Sequence, residues 1–117
     1  MTPNDKVLVA AAILVAGVIT FGVSLPLIYR KVPMNHFYGI RIRQAFASAE
    51  RWYDINERGG RLFARWSLLL MLTGIVGFLL PPNLATAYTF AAVVLVLISV
   101  LVPLYQIVRW SRSTSSI

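Results

Sequence analysis

Three long apolar stretches, residues 7–29, 62–82 and 88–108, alternate with one long polar stretch, 30–61, and one short one, 83–87. All three are of membrane length. Val7–Tyr29 carries no charged residue, and at 1.5 Å rise per residue it covers about 35 Å, enough for a hydrocarbon core of about 30 Å with some tilt. Its length, the lack of a polar cleavage region after it and its closure by Tyr29-Arg30-Lys31 mark a retained helix, not a cleaved signal peptide. The second stretch starts near Leu62 and ends where Pro81-Pro82 stops a helix. Its Arg65 lies one turn from the start, close enough for the guanidinium to reach the headgroups, with Trp66 at the same level. The third, Tyr88–Val108, has no charged residue, ends at Arg109-Trp110 and carries Pro103 near its end, where a kink is expected.

The polar stretch 30–61 reads as ordered, since it holds Phe37, Tyr38, Phe46, Trp52 and Tyr53 and few strong breakers. A helix is predicted from Ala47 to Arg58, with Ser48 as N-cap and Glu50 in the first turn, where negative charge suits the macrodipole. Asp54–Arg58 and Glu57–Arg61 stand four apart in the favourable acid-first order. Gly59-Gly60 is expected to end this helix or hinge it into the second span. Ala45, Ala49, Trp52 and Ile55 or Asn56 share one face, as in a helix lying at the membrane interface with Trp52 dipping toward the acyl boundary. Such a helix serves equally as a connector or as a recognition surface. Upstream, Gly39 suggests a tight turn or a close backbone approach, and alternation of Ile40, Arg41, Ile42 and Arg43 suggests a short extended piece. The expected fold is a single all-α membrane domain over residues 1–117. It has three transmembrane helices, a short amphipathic interfacial helix and a disordered polar tail, 111–117.

Composition sharpens this picture. With 58% hydrophobic and 13% charged residues, the chain lies far from the soluble balance of roughly a quarter charged. A net charge of +7 often suggests nucleic acid, but here the basic residues flank membrane spans, where anionic headgroups attract each Lys or Arg by about 1 kcal/mol. Nucleic acid is therefore not expected as a partner; a bilayer with anionic headgroups near 30–61 is. The first connection carries Arg30, Lys31, Arg41, Arg43, Arg51, Arg58 and Arg61, whereas 83–87 carries no charge. The N-terminal tail has Lys6 offset by Asp5, and the C-terminal tail has Arg109 and Arg112. Positive charge on the cytoplasmic side thus predicts the N-terminus outside, residues 30–61 inside and the C-terminus inside.

Small residues are candidate helix-packing positions, because membrane helices associate by close backbone approach. Ala12, Ala16, Thr20 and Ser24 recur every fourth residue in the first span; the second offers Thr73, Gly74 and Gly77, the third Ala91, Ala92 and Ser99. These are expected to seat the three helices on one another. A thin bundle of this kind also leaves room for a homo-oligomer or a membrane-protein partner.

Catalytic and metal constellations are hard to assemble. There is no cysteine, and His36 is the single histidine. Ser48 and His36 lie apart with no orienting carboxylate, and Ser48 is better used as a cap. Glu50, Asp54 and Glu57 sit among arginines, where neutralised surface pairs are the default. No ionisable residue apart from Arg65 falls within the spans. No metal, no cofactor and no enzymatic activity are expected.

One pattern goes beyond a connector. Asn35-x-x-Tyr38-Gly39-Ile40-Arg41, then Ser48-x-Glu50-x-Trp52, then Asn56-x-x-Gly59-Gly60, with one span before and two after, resembles the signature loop of the SdpI family. Where that pattern often continues with Thr-Pro and a further Thr, this chain has Ile42, Arg43 and Ala45. The resemblance implies a small multi-pass protein of the bacterial cytoplasmic (inner) membrane, in a family named for immunity to a secreted peptide toxin. It implies a protein that binds and protects against a membrane-active peptide, or relays its presence. The other functional class open to such a bundle is an accessory subunit of a larger membrane complex. Tyr38, Gly39, Arg41, Trp52 and Asn56 are the expected carriers of the loop's structure, with Arg41 as the ligand-binding or carbonyl-binding cation.

Overall fold

The computed structural model describes residues 3–114. Three helices carry the fold: α1 (Pro3–Ile28), α2 (Ala49–Leu79) and α3 (Ala85–Ser113). Short 3₁₀ turns at Arg43–Ala47 and Pro82–Leu84 lead into α2 and α3. Among the described residues there is no strand, and all three helices are long and apolar enough to cross a membrane. The molecule is an elongated bundle, 55 × 24 × 19 Å, longer than the hydrocarbon core of about 30 Å.

The polar and apolar parts of the middle region are one helix. Residues 49–61 are the first turns of α2 and not a separate helix lying on the interface. Ser48 caps it as the sequence predicts, its Oγ accepting from the Arg51 amide at 3.0 Å. Gly59-Gly60 neither ends nor hinges it. A Cβ at Gly59 would overlap Ile40 Cδ1 and come within 3.3 Å of Ile107 in α3. At Gly60 it would lie 3.1–3.3 Å from Ile28, Leu27 and the Ser24 carbonyl oxygen of α1. The glycines let three segments, the first connection, α1 and α3, crowd a continuous helix. That contact offsets the helix-propensity cost of glycine, about 1 kcal/mol each relative to alanine.

α1 and α2 pack along most of their length. Gly17 faces α2, where a Cβ would stand 2.9 Å from the Ser67 carbonyl oxygen; Gly74 faces α1, 2.9 Å from that of Ala10. The buried stripe of α1 runs through Lys6, Ala10, Ile13, Gly17, Ser24 and Leu27. Of the four small residues predicted to form it, Ser24 is buried and Thr20 half-buried, while Ala12 and Ala16 face outward. A strict four-residue step gains about 40° per repeat on a helix of 3.6 residues per turn, so it spirals off any straight seam. In α2, Gly74 and Gly77 are buried and Thr73 is half-buried; in α3, Ala92 and Ser99 are buried and Ala91 is exposed.

Two cores close the bundle's ends. Ala10, Ile13, Leu70, Tyr88 and Ala92 form one, with the Tyr88 hydroxyl donating to the Thr73 carbonyl at 2.9 Å. Near it Lys6, expected in a tail, lies within α1 and is buried. Its Nζ donates to the carbonyl of Leu80, placing a cation at the C-terminal end of α2 where the macrodipole favours it. Ala45, Trp52, Ile55 and Ile107 form the other core, at the arginine-rich end. Trp52 is wholly buried there and does not reach toward lipid. Residues 111–113, expected in a disordered tail, are the last turn of α3; Ser115, Ser116 and Ile117 lie outside the described residues.

Candidate functional site at the arginine-rich end

The first connection is built by successive backbone captures. α1 ends in a Schellman motif: the Arg30 amide donates to the Leu27 carbonyl at 3.2 Å and the Lys31 amide to that of Pro26 at 2.9 Å. The position that usually carries glycine is Arg30, with φ of 58°. Its guanidinium pairs with Asp54 at 3.1 Å and Glu57 at 3.3 Å and lies over the Tyr53 ring. The Asp54 hydrogen bond raises the guanidinium's proton affinity against a smaller opposing cost of desolvation, so the cation is fixed. Asp54 thus pairs across elements to Arg30. Glu57 also pairs with Arg61 at 3.6 Å, as its spacing predicts.

Asn35 organises the next turn. Its Oδ1 accepts from the Phe37 and Tyr38 amides at 2.8 and 2.7 Å, while Nδ2 donates to the Pro33 and Tyr38 carbonyls at 2.8 and 3.0 Å. All its amide capacity is spent on local backbone, the behaviour that makes Asn a turn residue. Tyr38 then reaches α1, where its hydroxyl donates to the Val23 carbonyl. Gly39 has φ of +118°, and a Cβ there would lie 2.8 Å from Asn56 Oδ1 and 3.0 Å from the Trp52 ring. Both conformation and space require glycine.

Beyond Gly39 the chain is fastened to α2 by one side chain. Asn56, buried, accepts the Ile40 amide on Oδ1 and donates through Nδ2 to the Ile40 and Trp52 carbonyls at 3.3 and 2.9 Å. The Trp52 indole N–H donates to the Val32 carbonyl at 2.8 Å, pinning the start of the segment to the same helix face. Phe46 packs on Trp52, with ring centroids 5.4 Å apart, and His36 stacks on Phe46 at 5.3 Å. Arg41 donates to the His36 carbonyl through Nη1 and is otherwise exposed.

A further arginine group ties in α3. Arg51 donates to the Ser111 carbonyl at 2.6 Å and to Thr114 Oγ1 at 3.0 Å, while Arg58 lies 4.8 Å from the centre of the Trp110 ring. Arg51 thereby satisfies a carbonyl at the C-terminal end of α3.

These captures frame an open groove of about 670 Å³. Tyr38 to Ile42 form one wall, and Thr20, Val23 and Leu27 of α1 the other, with Phe63 and Leu104 on the helices behind. Phe37 stands on its rim, 92% exposed. Apolar walls, a ring without a partner and an arginine with spare donors suit non-covalent capture of an apolar chain that carries carbonyls. Among the described residues no cluster of three or more His, Asp or Glu side chains is arranged to hold a metal.

The structure brings Asn35, Tyr38, Gly39, Ile40, Arg41, Trp52, Asn56, Gly59 and Gly60 into this one assembly. Ser48 and Glu50 lie at the exposed start of α2, away from the groove. Ala49 is exposed rather than on the buried face. Sequence reasoning passed over Arg30, Val32, Arg51 and Trp110. The first is an arginine where a helix calls for glycine and carries no local signal. Val32 acts through its backbone, and the Arg51 and Trp110 contacts join segments about sixty residues apart.

These features define a class: a three-span helical membrane protein whose long first connection folds back as an ordered plug against its own helices. The chain belongs to the SdpI/YfhL protein family, whose model matches residues 31–106, from just after α1 into α3. No curated protein and no solved structure matches the chain.

Proposed function

We propose that this protein binds a membrane-active peptide and so protects against it, or relays its presence, as the SdpI immunity role implies. The observation that carries the reading is the groove of about 670 Å³ between α1 and the segment Tyr38–Ile42, with exposed Phe37 on its rim. An apolar peptide lays side chains against Val23, Leu27 and Phe63, and Arg41 donates to its carbonyls. A peptide carbonyl pressed against Val23, Leu27 and Phe63 loses its water partners, so a donor supplied at that edge counts for more than at an open aqueous surface.

The proposed orientation has the N-terminus outside and residues 30–61 and the C-terminus in the cytoplasm, because seven of the eleven Lys and Arg residues lie in 30–61. Reporter fusions at residue 83 and at the C-terminus should report outside and inside respectively.

The functional test is survival of a peptide-sensitive bacterium that expresses the chain. Expression is expected to protect, and Arg41→Glu to abolish protection at an unchanged protein level. Protection that persists in Arg41→Glu would remove Arg41 from the mechanism. Mild extraction followed by mass analysis is expected to retain peptide after challenge. A membrane-protein partner held at fixed stoichiometry would instead make the chain an accessory subunit.

A further inference from the structure

On the other side of the arginine-rich end, α2 and α3 enclose a second groove, of about 820 Å³. Arg58, Arg61 and Arg65 line it from α2 and Arg109 from α3, with Leu62, Val102, Tyr105 and Trp110 between them. Among the described residues no acidic side chain lines it. Arg58 is held over Trp110, and Arg61 has Glu57 at 3.6 Å at the margin. Among the described residues, Arg65 and Arg109 have no hydrogen bond or ion pair. Both are exposed.

The arrangement is graded along the axis of α2. Arg58 and Arg65 lie seven residues apart on α2, a rise of about 10 Å. The arginines therefore form a ladder that descends toward the span instead of a patch confined to its end. One turn deeper on the same helix faces stand Leu69, Ile98 and Leu101, all exposed and apolar. A ligand that fits must be anionic at one end and hydrocarbon at the other, in that vertical order.

We propose that the α2–α3 groove is a binding site for an anionic phospholipid. Its phosphate sits among Arg61, Arg65 and Arg109, and one acyl chain runs past Leu62 and Val102 along the apolar faces below. The guanidinium forks donate in pairs to phosphate oxygens. The Trp110 and Tyr105 rings flank the glycerol region, where aromatic side chains are favoured. A soluble acidic peptide fits less well, since the groove's floor is apolar and continuous with lipid-facing helix. The site lies apart from the groove assigned to peptide and stands whether or not that assignment holds.

Native mass spectrometry of the full chain, extracted with mixed phosphatidylglycerol and phosphatidylcholine, tests this. Phosphatidylglycerol should be retained preferentially. Arg65→Gln and Arg109→Gln should each weaken retention roughly fivefold, as expected for one surface arginine. Arg65→Lys with Arg109→Lys keeps the charge and should hold most of the preference, separating loss of charge from loss of fold. Arg43→Gln, an exposed arginine outside the groove, should leave retention unchanged. Equal retention of the two lipids by the unaltered chain would overturn the proposal. So would an Arg43→Gln loss as large as the groove variants', which would indicate diffuse attraction. Displacement of the lipid by inorganic phosphate or by a soluble acidic peptide would also overturn it, since the site would then read charge alone.

Discussion

The side-chain amide of Asn56 pairs with both backbone groups of Ile40, sixteen residues earlier, as a neighbouring strand would. One side chain on α2 thereby closes the polar demands of a segment that has no secondary structure of its own. It also explains why Gly39, directly before, has no room for a Cβ.

Asn56→Ala should be among the most destabilising single changes at this end. It strands the Ile40 amide and carbonyl, and a partly buried unpaired group costs about 1–3 kcal/mol. Thermal unfolding in detergent, followed by helical circular dichroism, should show the loss. Asn56→Gln should not rescue it, because an added methylene displaces the amide from Ile40. A midpoint indistinguishable from the unaltered chain would mean that the Asn56 bridge contributes nothing.

Gly59→Ala should destabilise chiefly through the clash of the new methyl with Ile40 Cδ1, with a lesser crowding of Ile107 at 3.3 Å. Ile40→Val removes that atom, at about 0.5–1.5 kcal/mol by itself. The double variant should be more stable than the sum of the two losses predicts. Additivity in the double-mutant cycle would show that the crowding at Gly59 comes from elsewhere.

At Arg30, backbone and side chain pull in opposite directions. Glycine relieves the positive φ of 58° but deletes the pairs with Asp54 and Glu57; alanine deletes the pairs and keeps the strain. Arg30→Gly should therefore be more stable than Arg30→Ala by about 1 kcal/mol. The same denaturation measurement orders the two, and the reverse order would deny the left-handed conformation at this position.

Arg51→Ala should loosen the end of α3 without unfolding the protein. It removes the donors to Ser111 and Thr114, so amide exchange should accelerate in residues 110–114 and not in 90–100. Uniform exchange across α3 would show that this helix end is held by its own hydrogen bonds alone.

Much of this architecture is legible in the sequence. The three apolar stretches predict three spanning helices, and among the described residues three helices are long and apolar enough to cross a membrane. Ser48 is a cap because its hydroxyl needs only the amide three residues on. The family pattern of Asn35, Gly39, Trp52, Asn56 and the glycine pair pointed to one assembly. What it could not supply was direction: Trp52 faces inward where an amphipathic reading turned it toward lipid.

By itself the sequence determined which three segments form helices long and apolar enough to cross a membrane, since a backbone without water must satisfy its hydrogen bonds within each segment, and long apolar runs announce this locally. It also determined the Ser48 cap of α2, whose partner amide lies three residues on. Only the tertiary structure decided that α2 continues through Gly59-Gly60 and that Arg30 takes a glycine's place. Only it showed that the seam of α1 runs through Ala10, Gly17 and Ser24 rather than Ala12 and Ala16. Each of those outcomes balances a local preference of about 1 kcal/mol against contacts with residues distant in the chain. A local pattern contains the first term and not the second.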